Sequence, residues 1–431
     1  MRGAEASPHQ AGVPVPSAAT VAAAVIGNAL EFFDFLIFAA FAVMIGKAFF
    51  PTGNALTSLL LAVATFGVGF VTRTLGAIVI GIYADRAGRK AALTLSMWLM
   101  ALGSGLIGVL PDFATIGWPA PVLLVLARLV QGFSAGGEPA VATTYLLEAA
   151  PPGRQGFFGA WQLSSQFMSS IIGGLIGFTV TANLGANDVQ AWGWRIPFLL
   201  GTLIAPVGMY IRARLKETLP ALAAHVSSRA VMTDLLGSHW KVVLAATLVV
   251  TGSTVTQYFL TYLTTFAITE LKLPSDTAML TGFVVGVSGA SCAIIGGLAA
   301  DRFGFKATAV LPRLVLMAIL YPAVASLVRN PDSLHLFIVA AILTGLQAMS
   351  GAVSMLVISR AFPPEVRTSG LSVAYAVGVT VFGGTAQMAF TWLILRTGNP
   401  LSPVWYVVSM NLITLVGVSL LRSPSPARQA Q

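Results

Sequence analysis

"GIYADRAGRK", residues 81–90, returns as "GLAADRFGFK" at 297–306. Six of the ten positions are identical, and the offset of 216 residues is half of the 431-residue chain. Each copy closes a long apolar run with an Asp-Arg pair, a glycine and a lysine. A helix end exposes carbonyls without partners, so basic residues are favourable there. Gly88 and Gly304 supply the backbone freedom for a tight turn into the next helix. One copy alone fits a hairpin with a charge cluster that sets topology; two copies half a chain apart mark a duplicated unit. A second pair supports the duplication: "EAAPPGR" at 148–154 and "RAFPPEVR" at 360–367.

The stretches between these signals are apolar. The chain is 56% hydrophobic and 9% charged, with a mean hydropathy of +0.84. Soluble domains carry about 25% charged residues, so a charged, water-facing shell is excluded. A helical span takes about 20 apolar residues. Spans are expected near 20–46, 56–84, 91–110, 118–149, 156–182, 192–214, 241–268, 277–299, 309–328, 333–360, 367–395 and 402–422. Continuous apolar runs of this length exclude a β-barrel, whose strands alternate over about ten residues.

The expected fold is an all-α polytopic membrane protein with twelve spans in two six-helix halves. A disordered cytoplasmic tail is expected at 1–18, an N-terminal bundle at 19–214 and a cytoplasmic linker at 215–240. A C-terminal bundle at 241–422 and a second tail at 423–431 complete it. With the N-terminus in the cytoplasm, 17 Lys and Arg fall on the cytoplasmic side, Arg313 among them, and 4 on the opposite side. This asymmetry puts both ends in the cytoplasm. The basic pI therefore follows from topology, and no nucleic-acid partner is expected. The lone Cys292 sits in an apolar helix, which leaves no disulfide framework or thiolate metal site. Walker, zinc and nucleophile-elbow motifs are absent from the sequence. No cofactor, metal or catalytic residue is expected, and the chain is not read as an enzyme. Related halves with a site between them at mid-membrane are a transporter plan.

Charged residues inside a bilayer are costly, about 2.5–3.5 kcal/mol each on insertion scales, and face the bundle interior. Glu31 and Asp34 stand in "GNALEFFDFLIF" (27–38), with Arg73, Arg128 and Glu138 as the other candidates. The second half is read as holding no comparable group, which places the charge chemistry in the first. At 100° per residue, Glu31 and Asp34 lie about 300° and 240° from Asn28, one polar wedge. Arg128, Gln131 and Glu138 form one stripe on the fourth span. Arg73, twelve residues before Asp85, lies deep in the second. Arg73 and Arg128 are thus available to Glu31 and Asp34, either as a working site or as a static ion-pair lattice. Glu138, near the cytoplasmic end, also fits a structural pair for the loop. Arg195 in "WGWRIPF" reads as an interfacial Trp–Arg anchor. Polar linings are expected from Gln162 on the fifth span, Gln257, Tyr258 and Tyr262 on the seventh, and Tyr375 on the eleventh. "IIGGLIG" (171–177) and "FGGT" (382–385) read as close-packing sites.

"GIYADRAGRKAAL" resembles the loop signature of the major facilitator superfamily, and "ARLVQGFSAGGE" (127–138) its fourth-helix motif. "RTLGAIVIGIYADRAGRK", "EAAPPGRQGFFGAWQ", "WGWRIPFLLG" and "PPEVRTSGLSVAYAVGVTVFGG" are similar to its metabolite:proton symporter branch, closest to citrate and tricarballylate carriers. Two positions and one stretch depart from the pattern: Thr74 for proline, Phe305 for arginine, and "PAVATTY" (139–145) for a glycine-rich run.

The resemblance implies a proton-coupled symporter that imports a small polycarboxylate, citrate or a related tricarboxylate, by alternating access. The alternatives are α-ketoglutarate or another dicarboxylate, and a betaine- or proline-type osmolyte caged by Phe32, Phe35 and Tyr262. On this reading the substrate meets Arg73, Arg128, Gln131, Gln162, Gln257, Tyr258, Tyr262 and Tyr375. Asp34, Glu31 and Glu138 couple protons, and Asp85, Arg86, Arg89, Asp301 and Arg302 form the gating loops. The expected partners are an anionic small molecule, protons and membrane lipid, with the chain a monomer in the bacterial inner membrane.

Overall fold

The computed structural model describes residues 18–87, 89–135, 146–147, 150–151, 153–203, 206, 235, 237–363 and 366–421. Every regular element among them is helical. Each of the twelve expected spans contains helix. The first half holds α1 (Ala18–Ala40, continuing as Ala42–Phe49), α2 (Ala55–Ala87), α3 (Arg89–Val109), α4 (Pro119–Ser134), α5 (Gln155–Asn183) and α6 (Ile196–Thr202). The second holds α7 (Trp240–Thr269), α8 (Ser275–Phe303), α9 (Phe305–Arg329), α10 (Ser333–Ala361), α11 (Arg367–Thr397) and α12 (Ser402–Leu420). Among the described residues, eight helices are long and apolar enough to cross a bilayer, and the bent α1 makes a ninth. The expected terminal tails and most of the 215–240 linker lie outside the described residues.

Local chemistry accounts for the breaks. The two parts of α1 meet at 62°, where Phe41 takes φ −94° and ψ 13°, the bridge region between helix and strand. Gly304 has φ +92° and both ends α8 and starts α9. This is the turn expected from the repeat; its counterpart Gly88 lies outside the described residues. Asp332 accepts a hydrogen bond from the His335 N–H at 3.1 Å and caps α10. α11 is interrupted by a π-helical turn at Val379–Gly383, a device common at functional sites.

The outer faces are apolar at helical spacing. On α3, Leu95, Trp98, Leu102, Leu106 and Val109 are exposed; on α2, Val71, Leu75, Ile78 and Val79. Such stripes would be insoluble in water and fit hydrocarbon. Trp118, Trp192 and Trp405 stand exposed near the ends opposite Trp240, as an aromatic belt requires. The chain is a multi-pass membrane protein.

The two halves meet along α5 and α8 with backbone nearly on backbone. A Cβ on Gly174 would overlap the Phe283 nitrogen, and one on Gly156 or Gly297 would overlap the other glycine's carbonyl. Ser164 Oγ donates to the Ala290 carbonyl midway, at 3.0 Å. A second seam joins α2 to α11, where Gly67 abuts the Gly384 carbonyl. Both glycine-rich stretches are close-packing sites, as their sequence suggests; small residues replace hydrophobic driving force in lipid. At the end of the α5–α8 seam marked by Gly156 and Gly297, Asp301 accepts from the Gly156 and Phe157 N–H groups at 2.6 and 2.9 Å. A carboxylate of one half thereby caps a helix N-terminus of the other.

Gly174→Leu is predicted to force the seam apart, with an overpacking cost of about 1–3 kcal/mol. Thermal unfolding of detergent-purified protein should show a lowered Tm, and an unchanged Tm would contradict the seam.

Candidate functional site

The deepest polar cluster forms where α1, α2, α3, α4 and α6 converge. Helical spacing puts Asp34, Phe35 and Phe38 on the inner turn of α1 and Arg128 and Gln131 on one face of α4. Arg128 is fully buried. Its guanidinium lies over three rings: Phe38 at 4.2 Å, Phe35 at 5.2 Å and Phe66 at 5.2 Å. These contacts supply cation–π attraction where water does not reach. Nη1 donates to Gln131 Oε1 at 2.7 Å, and Gln131 Nε2 donates to Ser104 Oγ at 2.8 Å. Arg128 Nε and Nη2 have no hydrogen-bond partner. They share one edge of the guanidinium.

Asp34 is also fully buried, and its carboxylate closes no hydrogen bond to Arg128. Ser104 and the Arg128 charge are the polar groups that face it. Its carboxylate rests on α6 at Gly201, where a Cβ would stand 2.5 Å from Oδ1. The two opposite charges therefore share one pocket without closing a hydrogen bond to each other. A closed lattice would have used both sets of atoms.

Arg73 approaches from α2. Its Nε donates to the Ala135 carbonyl at 2.9 Å, and its guanidinium lies 5.8 Å from the Phe32 and Phe35 rings. The second half closes the cluster with Tyr258. Its ring stands 5.8 Å from both Phe66 and Phe70 and within electrostatic reach of Arg73, Arg128 and Tyr375. The structure thus brings together Asp34, Arg73, Arg128, Gln131, Tyr258 and Tyr375.

Of the other expected site residues, Gln162 is buried on α5; its carbonyl accepts from Asn28 Nδ2 at 3.2 Å, and its own amide nitrogen has no partner. Gln257 presents an unpartnered Oε1. Tyr262 is packed inside the second half, its hydroxyl 3.1 Å from Thr391 Oγ1 and its ring 5.6 Å from Phe390. Arg302 is exposed and lies over Phe303 at 5.4 Å. Asp301 makes the inter-half cap, and beside it Arg360 donates to Gln155 Oε1 at 2.6 Å. Glu138 lies outside the described residues, as do the side chains of Glu31, Asp85, Arg86 and Arg89. Arg195 donates to the Ala191 and Leu110 carbonyls at 2.6 and 3.1 Å and stacks on Trp194 at 4.3 Å. Trp194 is fully buried, so this anchor is internal, and Trp192 is the exposed neighbour.

One expectation is overturned. Arg313, counted above among the cytoplasmic loop charges, is fully buried inside α9. α9 begins at Phe305 and carries Pro312 inside, so Arg313 lies more than two turns into the helix. The second half therefore does hold an intramembrane cation. Its three nitrogens donate to Ser350 Oγ at 3.1 Å, Asn411 Oδ1 at 2.8 Å and Ser253 Oγ at 2.6 Å. The network ties α7, α9, α10 and α12 together and leaves no Arg313 nitrogen without a partner. The signal for it was an arginine inside the apolar run "VLPRLVL" at 310–316.

The family model described as Major Facilitator Superfamily matches residues 24–383. The chain belongs to the major facilitator superfamily. Among curated superfamily proteins, the citrate-proton symporter of Klebsiella pneumoniae is 37% identical over 384 residues, 88% of this chain and 86% of that one. The citrate-proton symporter of Salmonella typhi is 36% identical and 92% of each chain is covered. The proline/betaine transporter of Salmonella typhimurium is 30% identical, covering 93% of this chain and 82% of that one. Among solved structures, a D-xylose-proton symporter superposes with a TM-score of 0.75 at 16% identity, over 94% of this chain and 98% of that one. At that identity the likeness is one of fold.

Arg313→Ala is predicted to leave Asn411 Oδ1 and two hydroxyls without their donor, and to destabilise the second half by at least about 2 kcal/mol. Arg313→Lys should not restore it, because an ammonium cannot fork to three partners. Melting of the purified variants checks this, and a wild-type Tm for either would contradict it.

Proposed function

We propose that the protein is a proton-coupled secondary transporter that imports a small polycarboxylate, citrate or a related tricarboxylate, across the bacterial cytoplasmic membrane. The observation that carries this is the open edge of Arg128. A buried guanidinium whose Nε and Nη2 have no partner is shaped for one carboxylate, taken by two parallel N–H···O bonds. Arginine stays charged when desolvated, so the site holds its charge whichever face of the membrane it opens to. Arg73 and Tyr258 stand within reach of a second anionic group. The citrate-proton symporters among the relatives agree in substrate class.

Coupling follows from Asp34. The incoming carboxylate and the Asp34 carboxylate compete for one guanidinium. Two anions in this pocket against Arg128 leave a net negative charge at mid-membrane, which a proton on Asp34 removes. Anion and proton therefore enter together and leave together. Opening the end of the α5–α8 seam at Gly156 and Gly297 then requires Asp301 to release the α5 N-terminus. Asp85, at the matching place in the repeat, takes the equivalent role in the first half.

A betaine-type substrate fits less well. Its ammonium needs an open aromatic cage, but Phe32 and Phe35 already face Arg73, Phe35 and Phe38 face Arg128, and Tyr262 is sequestered in the second half.

In proteoliposomes with an imposed pH gradient, acid outside, labelled citrate should accumulate and betaine should not compete. Betaine uptake without citrate uptake would overturn the proposal. Arg128→Ala should weaken citrate binding at least about 30-fold, the lower bound for truncating a buried charge partner. Asp34→Asn should bind and exchange citrate but lose accumulation driven by the gradient. Accumulation at the wild-type level by Asp34→Asn would remove Asp34 from coupling and direct attention to Glu31. Single cysteines placed at 215–240 or 301–307 should react only from the cytoplasmic side; labelling from outside in intact cells would reverse the orientation.

A further inference from the structure

Gln387 on α11 is 1% exposed, and both its amide oxygen and its amide nitrogen are without a hydrogen-bond partner. Because both atoms are unpartnered, exchanging them by an amide flip changes nothing. A buried polar group left unpaired costs about 1–3 kcal/mol. Such a residue is retained where something else pairs with it.

Its position says what. Gly383, one turn earlier, abuts Tyr258, its absent Cβ falling 2.8 Å from Tyr258 Cε2. Gly384, three residues earlier, abuts Gly67 and Phe70 of α2. Thr391, one turn later, bonds the Tyr262 hydroxyl. At 100° per residue these neighbours lie within about 60° of Gln387 on the wheel. Gln387 therefore stands on the face of α11 turned to the junction of α2 and α7, the junction that Tyr258 enters on its way to Arg128 and Arg73. Gln257, adjacent to Tyr258 on α7, adds a second unpartnered amide oxygen. The guanidiniums of this region come from the first half, and the second half adds uncharged amides.

We infer that Gln387, with Gln257, is a specificity-determining pair that reads a hydroxyl group on the substrate, so that the protein selects hydroxy-polycarboxylates over the same acids without the hydroxyl. The chemistry is one of matching. A carboxylate only accepts, and it would meet the amide oxygens unfavourably. A hydroxyl both donates and accepts, so it satisfies an amide oxygen and an amide nitrogen at once. A methylene in its place leaves both unpaired, and sites of this kind reject the deoxy analogue strongly. The inference rests on the proposed polycarboxylate function and adds the group that the second half recognises.

Citrate and tricarballylate, the same tricarboxylate skeleton with and without the hydroxyl, are the probes. Their affinities for the purified full-length protein in detergent are measured by titration calorimetry. The wild type should bind citrate about 10-fold or more tightly than tricarballylate, the range set by one unpaired buried polar group. Gln387→Met, nearly the same volume without the amide, should weaken citrate to within about threefold of tricarballylate and leave tricarballylate unchanged. Gln257→Met should narrow the same gap, and it decides the matter if Gln387→Met does not fold. Equal wild-type affinities for the two acids would overturn the inference while leaving the polycarboxylate proposal standing. Equal weakening of both acids in the variants would mean that the amides only pack helices, and would overturn it too. Binding of neither acid by the wild type would remove both.

Discussion

A guanidinium at the centre of a bilayer must be satisfied without water, and Arg128 is satisfied on only one side. Gln131 takes one nitrogen, and three phenylalanine rings take the face. The remaining edge is left open beside an equally buried Asp34 that closes no hydrogen bond to it. Burial raises the cost of every unmet valence, so the surrounding structure holds two charges with hydrogen-bonding capacity still open. Gly201 has no side chain because the Asp34 carboxylate occupies that space, and Ser104 links Gln131 to the same pocket. Five helices are positioned by these few atoms.

Arg313 shows the opposite arrangement with the same residue type. Each of its nitrogens finds a neutral oxygen, on three different helices. A fully satisfied buried network fixes one packing, and here it makes α7, α9, α10 and α12 a rigid wall. The contrast is one of open valence: Arg128 has two nitrogens without partners, and Arg313 has none. Between the two bundles, the glycine seams of α5 with α8 and α2 with α11 hold backbones close while offering few side chains that interlock. Surfaces of that kind can separate at one end and stay closed at the other, and the Asp301 cap is one hydrogen-bonded contact between the halves at an end of the α5–α8 seam.

Much of this was legible in the sequence because membrane burial leaves so few charges to consider. The repeated Asp-Arg-x-Gly turns gave the duplication, and Gly304 adopts the positive φ that its place in the repeat requires. Arg73, Arg128, Asp34 and Gln131 fell on inward faces by spacing alone, and the structure gathers them. Arg313 falls inside the expected ninth span, 309–328, and counting it with the loop charges overlooked that; α9 begins at Phe305 and buries it. Tyr262 shares a helical face with Tyr258 but lies one turn further along, where α11 is close enough for Thr391 to bond its hydroxyl. Spacing on one helix cannot report how near the next helix comes. In sequence Gln387 reads only as one more polar residue of the eleventh span; its importance lies in atoms that no other residue meets, which only the packed structure reveals.

The claim on which the account turns is that a substrate carboxylate and Asp34 compete for Arg128. Titration calorimetry of citrate into the purified protein, repeated in buffers of different ionisation enthalpy, counts the protons exchanged on binding. The account predicts net proton uptake with citrate at near-neutral pH, lost in Asp34→Asn while citrate still binds. Citrate binding with no proton uptake in the wild type, or undiminished uptake in Asp34→Asn, would contradict it.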